Sequence, residues 1–251
     1  MGLGSDRALQ LVCAEELRMA QNTETQLADS AFQAEKVFCI GFLKTGTTSL
    51  EQALKDLGYR LGDQHQGELL LKAYVARDFK TIVEFCLTAD AFQDIPFCFP
   101  FTFVALDQSF PNAKFILSVR EDGDRWYRSL IRFHGNSFAG GRIPTRDDLL
   151  KAAYCYPGFM WDVFRLVWNA SDEDPYHKPL LVSCYDRHNS DVRDYFRGKS
   201  NLLEVNLSEK GAYEKFCKFL GKEHVAEDFP RLNASSPLAN ENAVSEITAE
   251  V

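Results

Sequence analysis

Between residues 36 and 58 an apolar run, a glycine-bracketed turn and a helical pattern follow one another without a gap. Lys36-Val-Phe-Cys-Ile-Gly-Phe42 is a short continuous apolar segment, as a parallel strand buried on both faces requires. Leu50, Ala53, Leu54 and Leu57 then fall at helical spacing, and Gly58 follows as a stop. The turn between them reads G-F-L-K-T-G-T-T-S-L, Gly41 to Leu50. A strand–turn–helix of this kind aims the unpaired backbone N–H groups of a helix N-terminus, with the positive end of its dipole, at one point in space. Gly46 lets an anion approach the chain, Lys44 adds a full positive charge, and Thr45, Thr47 and Thr48 add hydroxyls. The turn is therefore expected to bind phosphate.

The rest of the chain repeats the alternation. Lys114-Phe-Ile-Leu-Ser-Val119 reads as a second strand, and Leu202-Leu-Glu-Val205 as a late one. Asp78 and Asp122 are placed to cap helices, the one after Asp122 ending near Gly135. Thr145 and Pro157 open two more, and a last helix runs from Gly211 to Leu220. This order predicts an α/β fold of three layers, P-loop-like, with a central parallel sheet and helices on both faces. The domain is expected over 36–235, after a helical or partly disordered extension, 1–35, and before a flexible tail, 236–251.

Bulk properties narrow the function. At 251 residues with 45% hydrophobic and 25% charged content, the chain suits one soluble domain. Its net charge of -8 argues against nucleic acid as a partner, so an anionic ligand needs a local basic site. No run approaches the roughly 20 apolar residues of a membrane span. The N-terminus carries Asp6, Glu15 and Glu16 and lacks a signal-peptide pattern, so a cytoplasmic location is expected. Seven scattered cysteines without a C-x-x-C pair read as reduced thiols, not as a disulfide or zinc framework. No signal for or against an oligomer is present.

Two readings of the turn compete. The Walker A pattern G-x-x-x-x-G-K-[ST] matches at Gly41, Gly46 and Thr48, but Thr47 stands where its lysine belongs. A P-loop kinase or hydrolase thus lacks its reach toward a γ-phosphate. The string K-T-G-T-T-S-L instead resembles the 5′-phosphosulfate loop of sulfotransferases that use 3′-phosphoadenosine 5′-phosphosulfate (PAPS). A second stretch supports the resemblance: F-P-N-A-K-F-I-L-S-V-R ends in Arg120, and W-Y-R-S carries Ser129 on the following helix. In that family the strand-end arginine and the helix serine bind the 3′-phosphate, and a guanidinium suits a bidentate grip on such a group. The serine usually follows by eight residues; here the gap is nine, with Gly123 expected to absorb the extra residue in a loop.

The resemblance implies sulfuryl transfer from PAPS to a hydroxyl or amine of a small, partly apolar acceptor, with no metal required. It implies cofactor contacts from Lys44, Thr45, Gly46, Thr47, Thr48, Arg120 and Ser129. Lys44 would also neutralise the leaving phosphate. Asp94, in F-Q-D-I-P-F, stands where the family keeps a catalytic histidine or aspartate. His65 is the second choice of base because histidine titrates near neutrality; Glu68 and His188 rank below it. Arg125 and Arg128 read as a solvated helix face. Tyr154, Tyr156, Phe159, Trp161, Phe164 and Trp168 form an aromatic stripe that by itself signals a core. The resemblance adds that helices here cover the acceptor. A family member that binds nucleotide without turnover stays open as an alternative.

Overall fold

A computed structural model describes residues 32–230. The expected extension over 1–35 and the tail over 236–251 lie almost wholly outside the described residues. At the centre is a four-stranded, all-parallel sheet in the order β2-β1-β3-β4, with β1 Val37–Cys39, β2 Ala91–Phe92, β3 Lys114–Ser118 and β4 Leu202–Val205. Strands β1 and β3 are shorter than their apolar runs, because the residues at their carboxyl ends already turn out of the sheet.

Alternation along these strands divides the core in two. Phe38, Ile40, Phe115 and Leu117 enter one apolar layer, and Val37, Cys39, Ile116 and Val205 enter the other. The second layer is closed by α1 (Thr47–Asp56), through Leu50, Ala53 and Leu54, and by α10 (Ala212–Leu220), through Phe216 and Leu220. The first is closed by larger helices: α6 (Gly123–Phe138), α8 (Phe159–Trp168) and α9 (Lys178–Tyr195). Between β1 and β3 lie α2 (Gln64–Leu69), α3 (Leu71–Val75), α4 (Phe79–Phe85) and α5 (Thr102–Ser109), and α7 (Arg146–Lys151) follows α6. The sheet is thus covered on both faces, as parallel strands require.

Caps at Asp78, Asp122 and Thr145 form as expected, each side chain accepting from a first-turn amide. Three expectations need correction. Helix α6 does not end near Gly135 but continues to Phe138. The glycine is there because the chain folds back on it: a Cβ would sit 2.7 Å from the Arg142 carbonyl oxygen. Gly123 is not a loop residue but the first residue of α6, and a Cβ there would meet Val182 Cγ1 at 2.6 Å. The helix expected at Pro157 starts at Phe159, with Gly158 before it at φ 85°.

Helix α9 was not anticipated. Its buried residues, Leu181, Tyr185, His188, Asn189 and Val192, do keep helical spacing. Only two of the five are aliphatic, so polar and aromatic members disguise the stripe.

Candidate active site

Strand β1 delivers the chain to the site, and the turn forms because Gly41 lies flat against β3. A Cβ at Gly41 would stand 2.2 Å from Ser118 Oγ and 2.4 Å from the Ser118 carbonyl oxygen. The Thr45 hydroxyl braces the same junction, donating to the Phe42 carbonyl at 2.6 Å and pairing with Ser118 Oγ at 2.6 Å. Thr45 is buried, and its hydroxyl shapes the turn. Gly46, at φ 108°, ends the turn. Ser49 and Leu50 both donate to the Gly46 carbonyl at 3.0 Å, so the amides of Gly46, Thr47 and Thr48 precede the first intrahelical bonds of α1. Thr48 is exposed beside them.

Strand β3 brings Arg120 to the same place. Its Nε donates to the Lys44 carbonyl at 3.0 Å, and its amide donates to Tyr185 Oη of α9 at 2.9 Å. Tyr185 is held in turn by a stacked Trp126, ring centroids 4.9 Å apart. Trp126 Nε1 donates to the Leu43 carbonyl at 2.8 Å, so α6 grips the turn from the other side. Phe133, two turns on from Trp126, lies beneath the Lys44 ammonium, 3.2 Å from ring centroid to Nζ. Ser129 lies on α6 between these two contacts and is half-buried. Ser129 thus shares the helix face of Trp126 and Phe133, nine residues on from Arg120.

The electrostatics follow from that convergence. Burial lowers the Lys44 pKa to about 8, helped by Arg120 and Arg132 and opposed by Asp94. Arg132 was not anticipated; helical spacing from Ser129 was the signal for both it and Phe133. Arg125 pairs with Glu121 at the surface and Arg128 is exposed, as a solvated face requires.

Asp94 sits at the end of β2, beside the turn. Its Oδ2 accepts from Thr47 Oγ1 at 2.8 Å and its Oδ1 from the Ile95 amide at 3.0 Å. Burial raises its pKa, against the pull of those two donors and of Lys44. The backbones of Lys44 and Asp94 are both left-handed, at φ 68° and 61°, a conformation that costs a non-glycine residue of order 1–3 kcal/mol. Both residues thus hold strained positions, and the Lys44 charge acts on the Asp94 carboxyl.

The histidines fare differently. His188 is buried, its Nε2 donates to the Ile40 carbonyl at 2.8 Å, and burial lowers its pKa to about 4; it props the end of β1 as a neutral ring. His65 is exposed on α2, grouped with Glu68 and Cys155, their ligand atoms within 4.8 Å of one another. Glu68 is only 4% exposed and accepts on Oε1 from Tyr154 Oη at 2.8 Å and from Gln64 Nε2 at 3.2 Å. Burial and the nearby Asp94 raise its pKa. The sequence ranked Glu68 below His65, because its burial depends on Gly67 lying 3.0 Å, at an added Cβ, from the Ile95 carbonyl oxygen. Of the aromatic stripe, Phe159, Trp161, Phe164 and Trp168 are core residues, whereas Tyr154 is 54% exposed over Glu68. All six cysteines among the described residues are free thiols.

The arrangement offers anion-directed amides and a lysine at one end, a guanidinium next to them, the half-buried Asp94 carboxyl bonded to the turn through Thr47, and the buried Glu68 carboxyl beyond it. Among the described residues, no helix is long and apolar enough to cross a membrane. Comparison with known proteins agrees with this chemistry. A family model described as a sulfotransferase domain matches residues 36–238. "Ava biosynthesis cluster protein M" of Aspergillus versicolor is 27% identical over 224 residues, covering 80% of this chain and 81% of that one.

Proposed function

Because the chain belongs to the sulfotransferase-domain family, we propose that it moves a sulfuryl group from PAPS to a hydroxyl or amine of a small, partly apolar acceptor, releasing adenosine 3′,5′-bisphosphate (PAP). The observation that carries this reading is the hydrogen bond from Arg120 Nε to the Lys44 carbonyl. It puts two cations side by side, with Arg132 a third, and a bisphosphate needs such a pair. The residues fit the donor: the amides of Gly46, Thr47 and Thr48 with Lys44 receive the 5′-phosphate, and Arg120 with Ser129 receives the 3′-phosphate.

PAPS supplies a sulfuryl group on a good leaving phosphate. Around it, Lys44 and the helix amides take up the charge that develops on the 5′-phosphate as its bond to sulfur breaks. Asp94 takes the proton from the acceptor as the new bond to sulfur forms. Its buried setting makes it a stronger base than a solvated aspartate. Glu68 is a second reading for the base: the two donors given above bind its Oε1, whereas donors engage both oxygens of Asp94. The name of the Aspergillus relative, a biosynthesis cluster protein, supports a small-molecule acceptor.

A kinase or hydrolase reading has less support. Thr47, in the place of the Walker lysine, directs its hydroxyl to Asp94. The test is transfer of label from sulfur-labelled PAPS to a mixed pool of phenols, alcohols and amines. Wild-type protein gives labelled product, and Asp94→Asn or Glu68→Gln identifies the base by its loss of turnover with PAP binding intact. PAP binding without transfer to any acceptor would favour a non-catalytic family member.

A further inference from the structure

One group of residues next to the donor crevice has no role in holding the nucleotide. Beyond Asp94, away from Thr47, the polar groups continue outward as Glu68, Tyr154, His65 and Cys155. They come from separate segments. Glu68 and His65 lie on α2, whose Gln64 also accepts from Gln93 Nε2 at 3.0 Å, fixing the helix against the segment after β2 that carries Asp94. Tyr154 and Cys155 lie in the short loop between α7 and α8, closed by the pairing of Ala153 with Pro157.

We propose that this flank is the acceptor end of the crevice, and that the Glu68 and Asp94 carboxyl groups select neutral or cationic acceptors over anionic ones. The inference rests on the sulfuryl-transfer reading given above. Its geometry is specific. The Glu68 carboxyl is almost wholly buried, and Tyr154 holds its Oε1 at 2.8 Å from a ring that is itself 54% exposed. Tyr154 is therefore a positioning residue: it fixes one oxygen of Glu68 and leaves the other for a hydrogen-bond donor. An acceptor hydroxyl or ammonium supplies such a donor, whereas a carboxylate or sulfate would face two carboxyl groups in a setting that strengthens their repulsion. The Lys44 ammonium lies against Phe133 of α6, and His65 is exposed on α2.

The acceptor class is measurable without turnover. The full chain is saturated with PAP, and binding of 4-methylphenol, tyramine and 4-hydroxybenzoate is measured by calorimetry near pH 7.5. These probes share a ring and a hydroxyl and differ in the charge opposite it. The expected order has 4-methylphenol and tyramine at least about tenfold tighter than 4-hydroxybenzoate. Glu68→Gln, which keeps the shape and removes the charge, narrows that ratio to within about threefold. Tyr154→Phe, on an exposed ring, weakens 4-methylphenol with the PAP melting shift unchanged. Equal or tighter binding of 4-hydroxybenzoate, binding of none of the three, or an unchanged ratio in Glu68→Gln overturns the inference while PAP still binds. Failure of PAP itself to bind overturns the donor reading and this one with it.

Discussion

The Arg120 side chain donates to the main-chain carbonyl of Lys44 across 3.0 Å, so the cation that ends β3 is fastened to the turn that ends β1. The two strands are neighbours in the sheet, paired from Val37 with Lys114 to Cys39 with Ile116. Ligand sites of open α/β sheets form at such carboxyl edges. The separation of the two charges is thus set by strand pairing and not by flexible side chains alone. Arg120→Ala should weaken PAP about 10- to 100-fold, as expected for loss of a charge-assisted contact of about 1.5–3 kcal/mol. Adenosine 5′-monophosphate, which lacks the 3′-phosphate, should change by less than about threefold. Equilibrium dialysis with both nucleotides measures the difference.

Lys44 makes nucleotide binding depend on pH. Its folded-state pKa is about 8 against 10.5 for the ordinary side chain, lowered chiefly by burial. Between those values the unfolded chain binds more protons than the folded one, so this group's contribution to stability rises with pH across that window. Binding has the opposite sign, because a phosphate needs the ammonium. PAP affinity should fall as pH rises through about 8, and Lys44→Arg, which stays charged, should flatten that fall. Titration calorimetry from pH 6.5 to 9.5 gives both curves.

The threonines of the turn divide into two kinds. Thr45→Val deletes the hydroxyl that bonds Phe42 and Ser118, and should cost about 1–3 kcal/mol of stability. Thr48→Val removes an exposed hydroxyl at the helix start; it should leave stability within about 0.5 kcal/mol and weaken PAP. Urea unfolding and PAP titration of the two variants separate scaffold from contact.

Gly41→Ala should destabilise the chain by about 2 kcal/mol or more, because the new methyl would overlap Ser118 main-chain and side-chain atoms together. Gly58→Ala is the control: space is open around it, and only its φ of 84° opposes a side chain, so about 1 kcal/mol is expected. The midpoints of denaturant unfolding rank the pair.

The glycine turn and the arginine beside it were legible in the sequence because their signals are local. A strand, a glycine turn and a helix start within residues 36–50 point Lys44 and the amides in one direction, and the strand-end arginine follows the same logic at Arg120. The Glu68 flank was not. Glu68 owes its burial to α2 packing on the Ile95 region, Tyr154 reaches it from 86 residues away, and neither contact leaves a periodic trace. The residue type of Thr45 suits a phosphate, but only the approach of Ser118 shows that its hydroxyl is bonded within the turn. Helix α9 escaped because its buried stripe mixes Leu181 and Val192 with Tyr185 and His188.

The most direct test of a crevice that grips both ends of an adenosine bisphosphate is calorimetry of the full chain with PAP in the presence of a chelator, set beside ATP with magnesium. Saturable PAP binding without metal, far tighter than ATP–magnesium and weakened by changes at both Lys44 and Arg120, is the predicted result. Tight ATP–magnesium binding with none for PAP would contradict it.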